Sequence, residues 1–402
     1  MMIRVFDLRQ EPHSTTFDVS ASVTIDGSTQ TMTFKRYGNH PHLRERTETY
    51  DPFAVALLVP AMLRNAALSL QGPVDEVLLF NLQGPIQDTI RLMAPELPKI
   101  AVTGQPVARP AIGTIDRRAA CGFSGGVDSM YVVHNQHFGT DVPGPLRLNL
   151  LAHHHVGAHE EDDALFAERY AEVEKVAQDL GMPLVGASCK MNDLYQGRRF
   201  NEFHTMRSVA AAMSLDHLFS CYLFASSEEI GRKVTRNRFS GISTLEPQLL
   251  PLFNSERNRW IPVDGSAKRL LKTEAVIHDD RLCGSIQVCV RGFLKDRKTL
   301  NCGQCHKCAR FLMQAEVSGR LDAVAPTFDL EAYSSGRNYA IFRMLRLALK
   351  PKASSNDVLL VQFLQRQGFE FPTWAKPFVA LALLRHGRGQ TELYHPPKSS
   401  ES

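Results

Sequence analysis

The rhythm of apolar and polar positions changes several times along the chain, and each change marks an element. Phe17, Val19, Ala21, Val23 and Ile25 alternate with polar neighbours, and Met32 and Phe34 resume the alternation after Asp26-Gly27. Period two around an Asp-Gly step predicts a β-hairpin. From Pro52 to Leu70 the apolar run is broken only by a few residues such as Pro60, Arg64 and Asn65. It predicts a buried helix over about 53–70, kinked at the proline. Glu76 to Phe80 reads as a strand, and a helix is expected near 86–93. Gly104 to Pro110 holds two prolines and a glycine and reads as a linker. It would close a separate α+β module over residues 1–110.

Beyond it, strand-like and helix-like patterns take turns. A strand ends at Phe123 and a helix starts near 127. Leu146 to His153 is the next strand, and Asp163 to Leu180 a helix with Phe166, Tyr170, Val173, Val176 and Ala177 on one side, stopped by Gly181. A strand over Pro183–Ala187, a helix over Phe203–Ser214 and a strand over Phe219–Ala225 complete the series. Such alternation predicts an α/β fold, a parallel doubly wound sheet with helices on both faces, over residues 111–255. A cysteine-rich segment follows over 256–325. The last part, 326–402, reads as a helical appendage (Asn338–Leu349, Asp357–Gln367, Trp374–His386) with a Pro/Ser-rich tail from His395.

Composition changes this picture little. The 402 residues carry a formal net charge of +4, too small to imply nucleic acid without a basic stripe. The clusters Arg232-Lys233, Arg236 and Arg238 read as solvated surface. No apolar run serves as a signal peptide or membrane span, so the expectation is a cytoplasmic protein with no membrane partner.

The first chemistry lies at Ser124-Gly125-Gly126-Val127-Asp128-Ser129, between the strand ending at Phe123 and the helix after it. Two glycines let successive amides converge on one anion, and the helix points its positive end at the same place. Ser124 and Ser129 add hydroxyl donors. Asp128 would repel bare phosphate, so its expected role is to hold Mg²⁺ that bridges phosphate oxygens. Asp128 and Ser129 are the candidate catalytic residues. The loop is neither a GxxxxGK[ST] nor a GxGxxG motif. Ser226 and Ser227, after the strand over Phe219–Ala225, are further candidates for nucleotide contact. His153, His154 and His155 cannot all face one ion on a strand, and read as a strand-end loop near an adenine.

Five of the eight cysteines crowd into 26 residues, and Cys302, Cys305 and Cys308 stand at C-x2-C-x2-C spacing. With Cys289 they offer four thiolates for a structural zinc, or for an iron–sulfur cluster. Cys283 is either a core residue or a replacement for Cys289.

The loop hexapeptide resembles the signature of the PP-loop ATP pyrophosphatases, the adenine-nucleotide alpha hydrolase-like group. Within that group the pattern is most similar to the 7-cyano-7-deazaguanine synthases, which carry a cysteine knuckle after a lysine-containing helix. Leu271-Lys272-Thr273-Glu274-Ala275-Val276 looks like that helix, and Cys289, Cys302, Cys305 and Cys308 stand where those enzymes place zinc ligands. The likeness spans roughly residues 115–315. It implies a HUP-like fold and cleavage of ATP between the α- and β-phosphates. Lys272 could face the phosphates, but a lysine on the helix surface is the preferred reading.

The leading expectation is therefore an AMP- and pyrophosphate-forming ligase. It would adenylate a carboxylate or amide oxygen of a small molecule for attack by ammonia or an amine. Two readings compete: a sulfurtransferase, which would need a reactive thiol among Cys121, Cys189 and Cys221, and a non-catalytic nucleotide-binding sensor or assembly subunit. A homodimer is compatible with each.

Overall fold

The computed structural model describes residues 1–110, 118–158, 161–227, 241–289, 299–350 and 355–386. The basic cluster Arg232–Arg238, most of the stretch between Cys289 and Asn301, and the tail from His395 lie outside the described residues. In chain order the strands are β1 (Met2–Pro12), β2 (Thr16–Ile25), β3 (Ser28–Tyr37), β4 (Ala67–Asp75), β5 (Val102–Val107), β6 (Ala119–Gly122), β7 (Leu148–His155), β8 (Leu184–Ser188), β9 (Cys221–Ala225) and β10 (Arg259–Val263). The helices are α1 (Asp51–Leu63), α2 (Glu76–Gln83), α3 (Pro85–Met93), α4 (Val127–Val132), α5 (Asp163–Asp179), α6 (Phe200–Met213), α7 (Glu246–Leu249), α8 (Arg269–His278), α9 (His306–Val317), α10 (Leu321–Val324), α11 (Leu330–Ala348), α12 (Ser355–Arg366) and α13 (Lys376–His386). They divide into two compact units: Met1–Phe123 with Gln136–Ser266, and Ser124–Asn135 with Ala267–Ser402.

The first unit is built on a ten-stranded sheet in the order β10-β9-β6-β7-β8-β3-β2-β1-β4-β5. Most neighbouring pairs are parallel; the antiparallel ones join β8 to β3, β3 to β2 and β2 to β1. This is the expected α/β architecture, with strand order reversing at β6, which has β7 on one side and β9 on the other. Strands β6 and β8 are short apolar runs, buried almost throughout, as parallel strands covered on both faces should be.

The N-terminal residues do not stand apart as the composition suggested. The hairpin forms where expected, with Ile25 opposite Ser28 and positive φ at Asp26 (52°) and Gly27 (82°), the two-residue turn that suits strand twist. Its second strand then pairs with β8 through Lys35–Tyr37, so residues 1–110 share one sheet with the α/β core. The linker reading of 104–110 also fails. Val102–Val107 form the edge strand β5, where Pro106 is tolerated because an edge leaves one row of donors unused.

Two other expectations are corrected. Helix α1 ends at Leu63, and Ala67–Asp75 leave it as strand β4; an apolar run continues across the break because both elements are buried, so hydrophobicity alone does not mark it. Glu76–Phe80 is helix, not strand. Asp75 caps α2, its carboxylate accepting from the N–H groups of Val77 and Leu78 at 3.0 Å, and this local bond outweighs the β-like composition. Strands β1 and β10 were not anticipated.

Buried charge ties the end of this supposed linker to the core. The Arg109 guanidinium donates to Asp51 at 3.0 Å and to Asp216 at 2.5 Å, and both carboxylates are buried. Burial pushes the Asp51 carboxyl up to about 6 against the pull of Arg109. For Asp216, Arg109 outweighs the burial and the carboxyl is held below its ordinary range.

The second unit is largely helical among its described residues. Helix α8 packs on α4 and α9, and α11 on α9 and α12. Phe311 of α9 stacks on Phe328 at 5.2 Å. Helix α11 starts eight residues before the expected Asn338, because Asp329 caps it by accepting from the Ala332 N–H at 2.8 Å. No helix among the described residues is long and apolar enough to cross a membrane.

Arg109→Ala would remove the cation that the buried carboxylates of Asp51 and Asp216 share. Urea denaturation of the variant should show a loss of about 3–5 kcal/mol, and a loss below 1 kcal/mol would mean that the triad contributes no net stability.

Candidate functional site

The loop from Ser124 to Ser129 belongs to the second unit and is shaped by hydrogen bonds among its own residues. Gly125 has φ +70°, a conformation that a side chain would strain. A Cβ there would also stand 3.3 Å from the Cβ and Cγ of Gln287. The Ser124 hydroxyl accepts from the Gly126 N–H at 3.4 Å, and the buried Ser129 hydroxyl donates to the Gly126 carbonyl at 3.0 Å. Both serines therefore brace the loop, in addition to any contact with a ligand. The first helical bond runs from the Met130 N–H to Gly126 O at 2.9 Å. The amides of Val127, Asp128 and Ser129 precede it and have no acceptor among the described residues.

Two cations of α8 reach Asp128. Arg269 donates to its Oδ2 at 2.6 Å, and Lys272 Nζ lies 3.8 Å from its Oδ1. The Lys272 side chain is 3% exposed and its ammonium stands 5.9 Å from the Tyr131 ring centroid. The surface reading of this lysine is thus overturned: α8 buries the face that carries it against α4. One carboxylate beside two cations leaves local positive charge, which answers the objection that Asp128 would repel phosphate. A single carboxylate is too small a donor set to hold magnesium alone.

The four cysteines converge as their spacing suggested. The Sγ atoms of Cys289, Cys302, Cys305 and Cys308 all lie within 4.8 Å of one another, with Cys305 and Cys308 at 3.3 Å. A tetrahedron of bonds of about 2.3 Å to zinc spaces its sulfurs by roughly 3.8 Å, so the group could hold one such ion. An iron–sulfur cluster interposes iron and sulfide between the thiolates and needs them farther apart. Without a cation, hydrogen bonding to Cys289 and Cys305 together with burial raises the Cys308 thiol far above its usual range; a dication reverses that cost by binding the thiolates. Cys283 stands outside the group, its thiol turned to the Ala323 carbonyl at 3.8 Å.

The knuckle is built by local chemistry. Gly303 has φ +67°, and a Cβ there would come within 2.2 Å of Asp329 O. The Cys305 sulfur caps α9, accepting from the Cys308 N–H at 3.5 Å. Asn301 brings in the distant ligand: its Oδ1 accepts from the Val288 and Cys289 N–H groups at 2.8 and 3.0 Å. Its Nδ2 donates to the Ile286 and Thr327 carbonyls at 2.8 and 3.1 Å. Such outer-shell bonds fix a ligand's position.

The remaining candidates sit in the first unit. Ser226 follows β9, is buried, and donates its N–H to Val263 O at 3.2 Å; Ser227 is exposed. His153, His154 and His155 end strand β7 and do not form a loop. His153 and His155 stack on Phe166 with centroids at 5.6 and 4.8 Å, while His154 meets the Tyr222 hydroxyl at 2.7 Å. Strand alternation separates them as expected, and burial lowers His154 to about 3. The three cysteines considered for sulfur transfer are buried, and burial raises each thiol, Cys221 to about 11 and the other two further. None is poised as a thiolate.

Residues that the sequence reading did not single out are Arg269, Gln287 and Asn301. Arg269 stands one turn before Lys272, so a helical wheel through Lys272 would have found it. Gln287 and Asn301 had no such signal, because their partners are distant backbone groups. Compared with known proteins, the chain matches no family model, no curated protein and no solved structure.

Purified protein should carry one zinc per chain by elemental analysis, lost on Cys302→Ser or Cys305→Ser and kept in Cys283→Ser. Retention of metal in Cys305→Ser would show that the four thiols do not act together.

A pH dependence follows from Glu274 of α8. It is 3% exposed, and burial pushes its carboxyl up to about 7 although Ser318 donates to it at 3.0 Å. A raised folded pKa means that the native state holds a proton which the unfolded state releases near pH 4.5. The associated stability is complete at low pH and is lost as pH rises to about 7, up to about 3 kcal/mol. Melting curves between pH 5 and 8 should flatten in Glu274→Gln, which should also melt above the parent at pH 8. An unchanged profile would remove Glu274 as the source.

Proposed function

We propose that this chain is an ATP-dependent ligase that forms AMP and pyrophosphate. ATP with magnesium would bind with its β- and γ-phosphates on the amides of residues 124–129. A carboxylate or amide oxygen of a small molecule would then attack the α-phosphorus, and pyrophosphate would leave. Ammonia or an amine would displace AMP from the adenylate. The observation that carries this reading is the Ser124–Ser129 loop, with first-turn amides open to an acceptor and Asp128 bridged by Arg269 and Lys272.

In this scheme the protein's work is positioning and charge neutralisation, with no side chain as nucleophile. Lys272, held dry beneath Tyr131, would neutralise charge growing on the departing diphosphate. Arg269, more exposed at 37%, is free to swing from Asp128 to a phosphate oxygen. Asp128 would then hold magnesium, which would supply Lewis-acid stabilisation of negative charge on the phosphates. Ser124 and Ser129 would keep the loop in register. The four-cysteine centre, closed by protein ligands on every side, would be structural zinc. A deazapurine-type acceptor is the substrate class that the resemblance suggests.

Asp128→Asn keeps the size of the side chain and removes its charge. Release of pyrophosphate from ATP, measured with a coupled phosphatase in the presence of an extract of small carboxylic acids and ammonium, should fall on the order of 10²-fold or more. Equal release by parent and variant would contradict the assignment.

A further inference from the structure

The strongest unassigned feature of the second unit is Gln287. The residue is 9% exposed, and its side-chain amide nitrogen is buried with no hydrogen-bond partner among the described residues. A buried donor left unpaired is costly, and the side chain that carries this one packs against the phosphate-loop glycine. The Cβ, Cγ and Cδ of Gln287 stand 3.3, 3.3 and 3.4 Å from where a Gly125 Cβ would be, so the side chain lies along the loop. The backbone is fixed to the same residue, the Gln287 N–H donating to Gly125 O at 2.8 Å. On its other side, Asn301 holds Val288 and Cys289, and Cys289 belongs to the four-thiol group.

We infer that Gln287 is a ligand-binding residue, its Nε2–H₂ donating to an oxygen of the phosphate-type anion cradled by residues 124–129. The inference rests on the proposed reading of that loop as an anion site. Main-chain amides supply the loop's own donors, and Gln287 adds a side-chain donor from a separate segment. The pairing of the Gln287 N–H with Gly125 O keeps that donor in place before the anion arrives, so little freedom is lost on binding. It also gives the metal centre a further role, since a single residue, Val288, separates Gln287 from the Cys289 thiol.

Calorimetric titration of the full chain with pyrophosphate and magnesium tests this, with metal content measured on the same samples. Gln287→Ala should bind at least about tenfold more weakly than the parent, the loss expected for a hydrogen bond to a charged group, while keeping its metal. Gln287→Glu, which points a carboxylate at the anion, should bind more weakly still. Unchanged affinity in Gln287→Ala would overturn the inference while leaving the loop reading intact. Loss of metal together with affinity would overturn it too, marking Gln287 as a brace of the knuckle. A parent chain that binds no pyrophosphate would overturn both readings at once.

Discussion

The candidate site depends on one electrostatic arrangement, a carboxylate at the start of α4 facing two cations of α8. Asp128 alone would make the glycine loop hostile to phosphate; Arg269 at 2.6 Å and buried Lys272 at 3.8 Å turn the same place net positive. The arrangement is also what makes burial of Lys272 tolerable. A buried ammonium without a partner would shed its proton or unfold its surroundings. The pair therefore ties local stability to the same charges that the proposed anion site would use.

Around this centre, several small constraints converge on the segment from Ile286 to Cys289. Gln287 holds Gly125 through its backbone, and Asn301 holds Val288 and Cys289 through its side chain. The knuckle glycine fits only because no Cβ stands at position 303. A metal bound by the four thiols would thus act at one remove on the loop, by fixing the strand of chain that lies along it. This gives a physical reason for the two motifs to occur in one unit.

Much of this was legible in the sequence wherever a short-range pattern carried the signal. The hairpin at Asp26-Gly27, the loop at Ser124–Ser129 and the C-x2-C-x2-C knuckle each follow from residues within a few positions of one another. The alternation of strands and helices from β6 to β9 was equally plain, and gave the mostly parallel sheet. What the sequence hid was non-local or masked by burial. No periodicity reveals that β3 pairs with β8, so the N-terminal residues read as a separate module. The burial of α1 on every side erased the boundary before β4, and the cap from Asp75 turned a β-like string into α2. Lys272 illustrates the same limit: an isolated lysine on a helix reads as surface until the carboxylate that partners it is known.

The central claim, that residues 124–129 receive the phosphates of ATP, is most directly tested by titrating the full chain with ATP and magnesium in a calorimeter. The account predicts saturable binding at one site per chain that pyrophosphate competes away. A flat titration, or binding that pyrophosphate leaves untouched, would contradict it.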